Sequence, residues 1–161
     1  MTSKKQTIYA GTFDIFTNGH NEILQRALTL FDEITLLVAV SSAKKTLFDV
    51  KQRVEMLEIL FKDNPQVKVD KWEGLIAEYA RVNKIDSIIR GLRPTGDFEY
   101  EFQMASMNKK LYPNVETVLL MAGSDYYCVS SALVKEIWKH GGDISGFVAP
   151  QILNYLNEKK L

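Results

Sequence analysis

The sequence predicts an α/β domain in which helices cover both faces of a parallel β-sheet. Short strand-like runs alternate with helical patterns along all 161 residues. Residues 34–40 and 115–121 are nearly continuous apolar runs, which is typical of central strands covered on both faces. No repeat, linker or low-complexity tract interrupts the alternation, and the length fits one domain. We therefore expect residues 1–161 to form a single Rossmann-like, three-layer domain with a five-stranded parallel sheet flanked by helices.

Each element is assigned from its local pattern of apolar residues. The predicted strands cover residues 7–10, 33–40, 67–71, 87–90 and 116–121. The predicted helices cover residues 19–31, 50–62, 75–83, 97–111, 130–140 and 150–158. The last helix starts at Pro150 because proline suits the first turn. In a parallel sheet the loops that follow the strands meet at one edge, where ligands bind, so these loops are expected to carry the site.

Charge and cysteine content limit the function classes. Lys plus Arg and Asp plus Glu number 20 each, so no basic surface predicts binding to nucleic acid or to an anionic membrane. No apolar run approaches the ~20 residues that a helix needs to cross a bilayer, and the N-terminus lacks the apolar region of a signal peptide. Cys128 is the only cysteine, which excludes an intrachain disulfide and fits the reducing cytoplasm. We expect a cytoplasmic protein without membrane or nucleic-acid partners.

The loop after the first strand carries the most concentrated chemistry. It begins at Gly11 and ends where Gly19 and His20 open a helical pattern, so it can offer backbone N–H groups and a helix N-terminus to an anion. Its spacing fits neither the G-x-G-x-x-G fingerprint nor the Walker loop. His20 could donate to a phosphoryl oxygen or merely satisfy backbone groups at the helix start. The hydroxyls of Thr12 and Thr17 favour the first alternative.

Two arginines follow the fourth predicted strand. Arg90 and Arg93 are two of only five arginines and bracket a glycine. At this spacing two guanidinium groups can fork onto phosphate oxygens. The alternative is a pair of surface salt bridges to Asp97, Glu99 or Glu101. We favour phosphate binding.

Two further loops are expected at the same edge of the sheet. Lys44 and Lys45 follow the second strand; such a pair is usually solvated, but its place at a strand end favours a role in binding. Ser130 or Ser131 is the expected N-cap of the next helix, and the free N–H groups beyond it would bind an anion. Lys135, one turn later, faces the same end of that helix.

Some expected chemistry is missing from the sequence. No Cys/His cluster indicates zinc, no Gly-x-Ser-x-Gly motif indicates a hydrolase, and the loops offer no paired carboxylates. The residues together predict a pocket for a phosphate-bearing small molecule, lined by Thr, His, Lys and Arg donors. It has few candidates for a general base.

These motifs together resemble the bacterial phosphopantetheine adenylyltransferase family. The resemblance rests on Gly11-Thr-Phe-Asp, Thr17-Asn-Gly-His20, Lys44-Lys45, Arg90-Gly-Leu-Arg93, Asp97-Phe-Glu-Tyr-Glu101 and Val129-Ser-Ser131 with Lys135. The first two motifs alone would indicate only the wider Thr/His-x-Gly-His nucleotidyltransferase superfamily. The match runs in register over nearly the whole chain, and it implies that residues 1–161 form one nucleotidyltransferase domain.

The resemblance implies transfer of the adenylyl group from ATP to 4′-phosphopantetheine, which gives dephospho-CoA and pyrophosphate in coenzyme A synthesis. Such a reaction explains the missing base, because a phosphate monoester is mostly dianionic at neutral pH. The work that remains is to align two polyanions and to stabilise charge on the transferred phosphate. The resemblance also implies Mg²⁺ bound with the triphosphate, coenzyme A as a further ligand, and a homohexamer.

Residue roles follow from the same resemblance. Thr12 and His20 would be catalytic, with His20 stabilising the transition state. Thr12, Lys44, Ile76 and Arg90 would bind phosphopantetheine. The residues implied to bind ATP are Thr12, Phe13, His20, Gly91, Leu92, Arg93, Glu101, Tyr126, Tyr127, Cys128, Val129, Ser130, Ser131 and Ala132. No protein side chain is expected to ligate the metal.

The chain departs from the family pattern at three positions and in the loop 122–127, which differs from the usual proline-containing loop. Family members usually have proline where this chain has Ala10 and Ile15, and a serine or threonine where it has Ala132. We interpret these changes as tuning of the site, because every charged phosphate-handling residue is present.

Three alternatives remain open at this point. Another nucleotidyltransferase of the superfamily would use nicotinamide mononucleotide or glycerol phosphate as acceptor and would not need Lys44 with Arg90. A non-catalytic nucleotide or coenzyme A sensor is supported only by Ala132 and the altered loop 122–127. A nucleic-acid-binding protein is the weakest alternative, since the chain has no basic stripe.

Overall fold

Five parallel strands form one sheet at the centre of the structure, a computed structural model that describes residues 4–40, 45–94 and 97–159. The strands are β1 (Gln6–Gly11), β2 (Glu33–Val40), β3 (Val67–Glu73), β4 (Ser87–Leu92) and β5 (Glu116–Met121). Their order across the sheet is β3-β2-β1-β4-β5, and every neighbouring pair is parallel. The order reverses between β1 and β4, the kind of point at which parallel α/β sheets bind their ligands. The predicted α/β fold is confirmed.

In the described ranges, six helices connect or follow the strands. They are α1 (Asn18–Ala27), α2 (Val50–Phe61), α3 (Ile76–Asn83), α4 (Asp97–Leu111), α5 (Ser131–Lys139) and α6 (Pro150–Lys159). Capping boxes begin α1 at Thr17 and α2 at Asp49, where each cap side chain accepts from a first-turn N–H. Lys84 ends α3 in the left-handed conformation with φ 55°. None of the described helices has the length and apolar character needed to cross a membrane.

Three apolar clusters hold these layers together. The largest packs α1 and part of α2 against the sheet, around Leu24, Leu36 and Leu57, which are all fully buried. A second lies between α2, α5 and α6, around Phe48 and Ile152. The third lies under α3 on the opposite face of the sheet. Because the clusters pack on both faces of the sheet, the strands are held rigidly. The loops at their carboxyl ends therefore start from fixed positions.

Helix α1 is shorter than its sequence pattern predicts. The apolar stripe predicts a helix to residue 31, whereas α1 ends at Ala27. The Thr29 hydroxyl donates to the Arg26 carbonyl oxygen at 2.7 Å, and such local side-chain bonds compete with the next helical turn. Phe31 still packs against the core. The periodicity therefore identified the buried side chains correctly and the end of the helix wrongly.

The position predicted for the fifth strand is also wrong. Its apolar run favours a central strand covered on both faces, but β5 lies at the edge of the sheet. Its central residues are only half-buried, and the Met121 side chain is 66% exposed. Burial within one chain therefore does not explain why β5 is apolar along most of its length. This apolar edge strand lies next to α4 and is left uncovered.

Candidate active site

A cleft of about 590 Å³ opens at the carboxyl ends of the strands, where the strand order reverses. Its walls come from the loops after β1, β4 and β5 and from the first turns of α1 and α5. Cavities of this size suit a small-molecule ligand. The first turns of two helices line it, and each favours an anion through its dipole and through the N–H groups that its cap leaves unused.

The loop after β1 has an unusual backbone held by aromatic packing. Phe13 has a φ of 47°, a left-handed conformation that is rare for a bulky residue. Its ring, 2% exposed, packs against the rings of Tyr9, Phe16 and His20. A Cβ atom at Gly11 would lie 2.7 Å from the Phe13 ring, so only glycine fits there. The packing thus fixes the loop that carries Thr12 into the cleft.

His20 is oriented by the cap of α1. The Thr17 backbone N–H donates to Nδ1 of His20 at 3.0 Å. Because Nδ1 accepts, the proton of the neutral ring lies on Nε2, which leaves an N–H donor for a ligand. Burial lowers the pKa of His20 to about 4, and the charges of Arg93 and Arg90 add to this effect. The ring is therefore a neutral hydrogen-bond donor at physiological pH.

Arg90 occupies the floor of the cleft and is held on two sides. Its Nε and Nη2 donate to the Glu101 carboxylate at 2.7 and 2.6 Å, and its Nη1 donates to the Ala10 carbonyl oxygen at 2.6 Å. A guanidinium has five N–H groups, so two remain for a ligand. Burial opposes the charge of Arg90, but Glu101 outweighs it and the pKa of Arg90 is raised.

Arg93 stands at the mouth of the cleft. Its Nε donates to Asp97 at 2.8 Å. Both arginines are therefore paired with carboxylates, the alternative to phosphate binding that the sequence left open. The two functions are compatible here, because both arginines also line the cleft and keep N–H groups that the carboxylates do not use.

The first turn of α5 forms the opposite wall. Ser130 is the N-cap and accepts from the Leu133 N–H at 3.2 Å. The Ser131 hydroxyl donates to the Ile15 carbonyl oxygen at 2.6 Å. Both hydroxyls thus have structural partners, and the backbone N–H groups of the turn are the donors left for an anion. Alanine at 132 also lines this wall and removes no backbone donor.

Asp14 lines the cleft and joins its walls. Its carboxylate accepts from the backbone N–H groups of Leu47 and Phe48 at 2.9 and 3.0 Å. It also forms an ion pair with Lys135 of α5 at 2.5 Å. The loop after β1, the chain entering α2 and the helix α5 therefore meet at one carboxylate.

The structure brings most of the predicted site residues into one cleft. Those lining it are Thr12, Phe13, His20, Arg90, Gly91, Arg93, Glu101, Tyr126, Val129, Ser130, Ser131 and Ala132. Among the described residues that do not line it are Leu92, which is buried, and Tyr127 and Cys128, which are exposed. Ile76 begins α3 and packs on its apolar cluster. Lys44 lies outside the described residues, while Lys45 lines the cleft.

Sequence reasoning missed three residues with roles in this geometry. Asp14 was recognised only as part of a motif, and its partner Lys135 lies 121 positions away. Tyr9 and Tyr100 also line the cleft, and burial raises the pKa of Tyr9 so that it stays a neutral phenol. The order of residues along the chain carries no signal for such long-range pairs.

The described residues contain no cluster of three or more His, Cys, Asp or Glu side chains that could hold a metal ion. The carboxylates at the cleft are bonded to cations of the chain, as described for Asp14, Asp97 and Glu101. A divalent ion that enters with a triphosphate and is held by phosphate oxygens and water fits these walls. A cage of protein carboxylates does not.

Comparisons with known proteins identify the family of this chain. The model of the cytidylyltransferase-like family matches residues 8–137. The chain is 47% identical over 154 residues to a phosphopantetheine adenylyltransferase of Dictyoglomus thermophilum, covering 96% of this chain and 94% of that protein. It is 44% identical over 155 residues to that of Anaeromyxobacter dehalogenans, with the same coverage. Against the enzyme of Caldanaerobacter subterraneus it is 47% identical over 152 residues, which are 94% of this chain and 95% of that protein. The chain therefore belongs to the phosphopantetheine adenylyltransferase family, within the cytidylyltransferase-like group.

Proposed function

We propose that this protein transfers the adenylyl group of ATP to 4′-phosphopantetheine, the reaction of its family, which yields dephospho-CoA and pyrophosphate in coenzyme A biosynthesis. The observation that carries the proposal is the convergence of a neutral His20 N–H, two arginines and two helix N-termini on one cleft. The chain is thus a nucleotidyltransferase whose substrates both carry phosphate.

The reaction needs alignment more than proton transfer. A phosphate oxygen of phosphopantetheine attacks the α-phosphorus of ATP; the new bond is P–O, and the bond from the α-phosphorus to the β-bridging oxygen breaks. Pyrophosphate leaves with the bonding electrons. The attacking monoester is already mostly dianionic at neutral pH, so no base is required. This agrees with a cleft whose carboxylates are bonded to Lys135, Arg90 and Arg93.

The side chains divide between the two substrates. Arg90 with Lys44 would hold the acceptor phosphate, and Ile76 would contact the pantetheine arm. The loop after β1, the residues 91–93 and the segment 126–132 would hold ATP. Thr12 would lie between the residues that bind the acceptor and those that bind ATP. His20 would donate a hydrogen bond from Nε2 to the transferred phosphate. Charge that develops there is stabilised by donors already in place, which is the main source of rate in such sites.

Mg²⁺ is the proposed cofactor, and it would be held by the triphosphate and by water. When bound, it neutralises charge on the β- and γ-phosphates. The neighbouring cations of this chain, Lys45 and Arg93, line the cleft and would neutralise the remaining charge. Pyrophosphate release from ATP and 4′-phosphopantetheine should stop when EDTA chelates the metal, and it should resume when Mg²⁺ is added.

The uncovered apolar surface favours an oligomer, and we propose a homohexamer. On α4 the side chains of Phe98, Phe102, Met107 and Leu111 are each at least half exposed, as is Met121 of the neighbouring β5. An apolar patch of this kind usually marks an interface. Sedimentation equilibrium is expected to give six times the 18.4 kDa chain mass; a monomer at micromolar concentration would contradict the proposal.

The location and further ligands follow from the reaction. A cytoplasmic enzyme would meet both ATP and a reducing environment, which suits a free Cys128. Dephospho-CoA, and coenzyme A as a close analogue, would occupy the same cleft. Fractionation of cells into soluble and membrane pools tests the location.

Pyrophosphate release with ATP and a panel of acceptors tests the proposed function. We expect turnover with 4′-phosphopantetheine and none with nicotinamide mononucleotide or glycerol phosphate. Turnover with either of the latter alone would assign another acceptor. A protein that binds ATP yet turns over none of the acceptors would be a sensor, and the proposal would fail.

Replacing His20 should remove turnover without removing nucleotide binding. His20→Ala deletes the Nε2 donor, and the loss of one such donor lowers kcat by about 10²–10³-fold. His140→Ala is the matched control, because this exposed histidine ends α5 outside the cleft. Steady-state kinetics gives kcat, and calorimetric titration gives the dissociation constant for ATP. Equal kcat values for the two variants would remove His20 from the mechanism.

The same histidine should make the stability of the free protein depend on pH. The pKa of His20 is about 4 when folded and near the usual value of about 6.5 when unfolded. The unfolded chain therefore binds the extra proton between these values, so stability is complete above pH 6.5 and falls as the pH drops towards 4. Because the ring partly faces the cleft, we expect a loss of about 2 kcal/mol. Chemical unfolding at pH 7.5 and 4.5 should show a smaller loss in His20→Ala than in His140→Ala.

Replacing Arg90 should weaken acceptor binding selectively. Arg90→Lys keeps the positive charge, but an ammonium cannot donate two parallel hydrogen bonds to Glu101 and also reach the Ala10 carbonyl. We expect KM for phosphopantetheine to rise by about tenfold, the size of one charged hydrogen bond, with little change in KM for ATP. Arg81→Lys, in the exposed pair with Glu78 on α3, is the control. A rise confined to the KM for ATP would assign Arg90 to the nucleotide instead.

A further inference from the structure

Arg53 is a buried cation behind the cleft. It lies in the first turn of α2 and is only 3% exposed, yet it is not among the residues that line the cleft. A buried guanidinium is unfavourable unless its charge and its N–H groups are used. In the described part of the chain no carboxylate lies within ion-pair distance of it, although the charges of Asp14 and Asp49 act on it at longer range.

Its hydrogen bonds go to backbone carbonyls instead. Nη1 donates to the carbonyl oxygen of Thr12 at 2.7 Å and to that of Ala39 at 3.2 Å. Thr12 belongs to the loop after β1, and Ala39 lies near the end of the adjacent β2. One side chain thus joins α2 to the two neighbouring strand ends from which the loops with Thr12 and Lys44 depart.

The bond to Thr12 also fixes the next N–H group. The Thr12–Phe13 peptide is trans. The C=O and N–H of a trans peptide point in opposite directions. Since Arg53 holds the Thr12 carbonyl from behind the cleft, the Phe13 N–H points away from Arg53, and both residues of this peptide line the cleft.

This N–H group has no acceptor among the described residues. None of their backbone or side-chain hydrogen bonds uses the Phe13 N–H, although Phe13 is 2% exposed. Buried N–H groups are nearly always paired. The φ of 47° at Phe13 is a strained conformation of the kind found where a backbone is held for function. A donor that has no partner in the described part of the chain, in a strained turn at this cleft, indicates a ligand oxygen.

We propose that Arg53 is a positioning residue for adenylyl transfer, holding the Thr12–Phe13 peptide so that the Phe13 N–H donates to a non-bridging oxygen of the α-phosphate. The inference rests on the proposed function and adds to it a residue that does not touch substrate. Because charge on that oxygen grows as the transition state is approached, the contribution falls mainly on kcat.

Two substitutions at Arg53 and one control test the proposal. Arg53→Met removes the charge and both hydrogen bonds; we expect kcat to fall about 10²-fold, the effect of losing one aligned donor, while KM for each substrate changes less than threefold. Arg53→Lys keeps a charge and a donor that can reach only one of the two carbonyls, and it should recover only part of that loss. Lys51→Met removes a cation from the exposed side of the same turn and should leave kcat unchanged.

A thiophosphate substrate separates positioning from a general loss of structure. The two diastereomers of ATP with sulfur on the α-phosphate place a poor hydrogen-bond acceptor on one or the other non-bridging position. The wild type should discriminate between them in kcat/KM, and the ratio should shrink in both Arg53 variants. A purely structural role would lower both rates equally. Nucleotide-binding stoichiometry, measured by calorimetric titration, confirms that the folded fraction is unchanged.

The outcomes are distinguishable from those of the parent proposal. No turnover by the wild type would refute the proposed function, whereas a normal wild type with kcat and diastereomer ratio unchanged in Arg53→Met would refute only the role of Arg53. If the Met variant does not fold, Arg53→Lys decides the question: an unchanged ratio in that variant overturns the proposal.

Discussion

The buried carboxylate of Asp14 is the interaction on which the site depends. It is 3% exposed as a residue and satisfies its charge with two backbone N–H groups and the Lys135 ammonium. A buried carboxylate is stable only when so paired. Since its partners lie 33, 34 and 121 positions away, three distant segments are held at one point. The sheet positions the strand ends, and Asp14 sets how their loops meet.

Three of the cations that line the cleft are already paired with carboxylates. Lys135 faces Asp14, Arg90 faces Glu101 and Arg93 faces Asp97, in keeping with a chain of zero net charge. Phosphate groups would therefore bind to oriented N–H donors rather than to an unbalanced positive field. Such donors need little reorganisation when the ligand enters, and the carboxylates keep the guanidinium planes fixed between turnovers.

The sequence predicted the fold well because its signals are local. The apolar run of β2 and the stripe on α1 show which side chains are buried, and Gly11 with His20 marked the loop of the site. It did not show which residues of α4 are buried within the chain. The buried residues of that helix are Glu101 and Asn108. Glu101 is buried against Arg90 on another element, and periodicity carries no information on that partner.

Arg53 and His20 show the limit of sequence reasoning more sharply. His20 was visible because its cap, its glycine and its place after a strand are neighbours in the chain. Arg53 lies within a helical pattern that gives no sign of a role at the site. Its partners are backbone carbonyls, and because every residue has one, no sequence motif identifies them. Yet both act on the same loop: Thr17 orients the imidazole from one end, and Arg53 orients the Thr12–Phe13 peptide from the other. A phosphate that meets both donors would find each held by its own hydrogen bond. The packing of the Phe13 ring against the His20 ring joins the two supports, so loss of either one should disturb both donors.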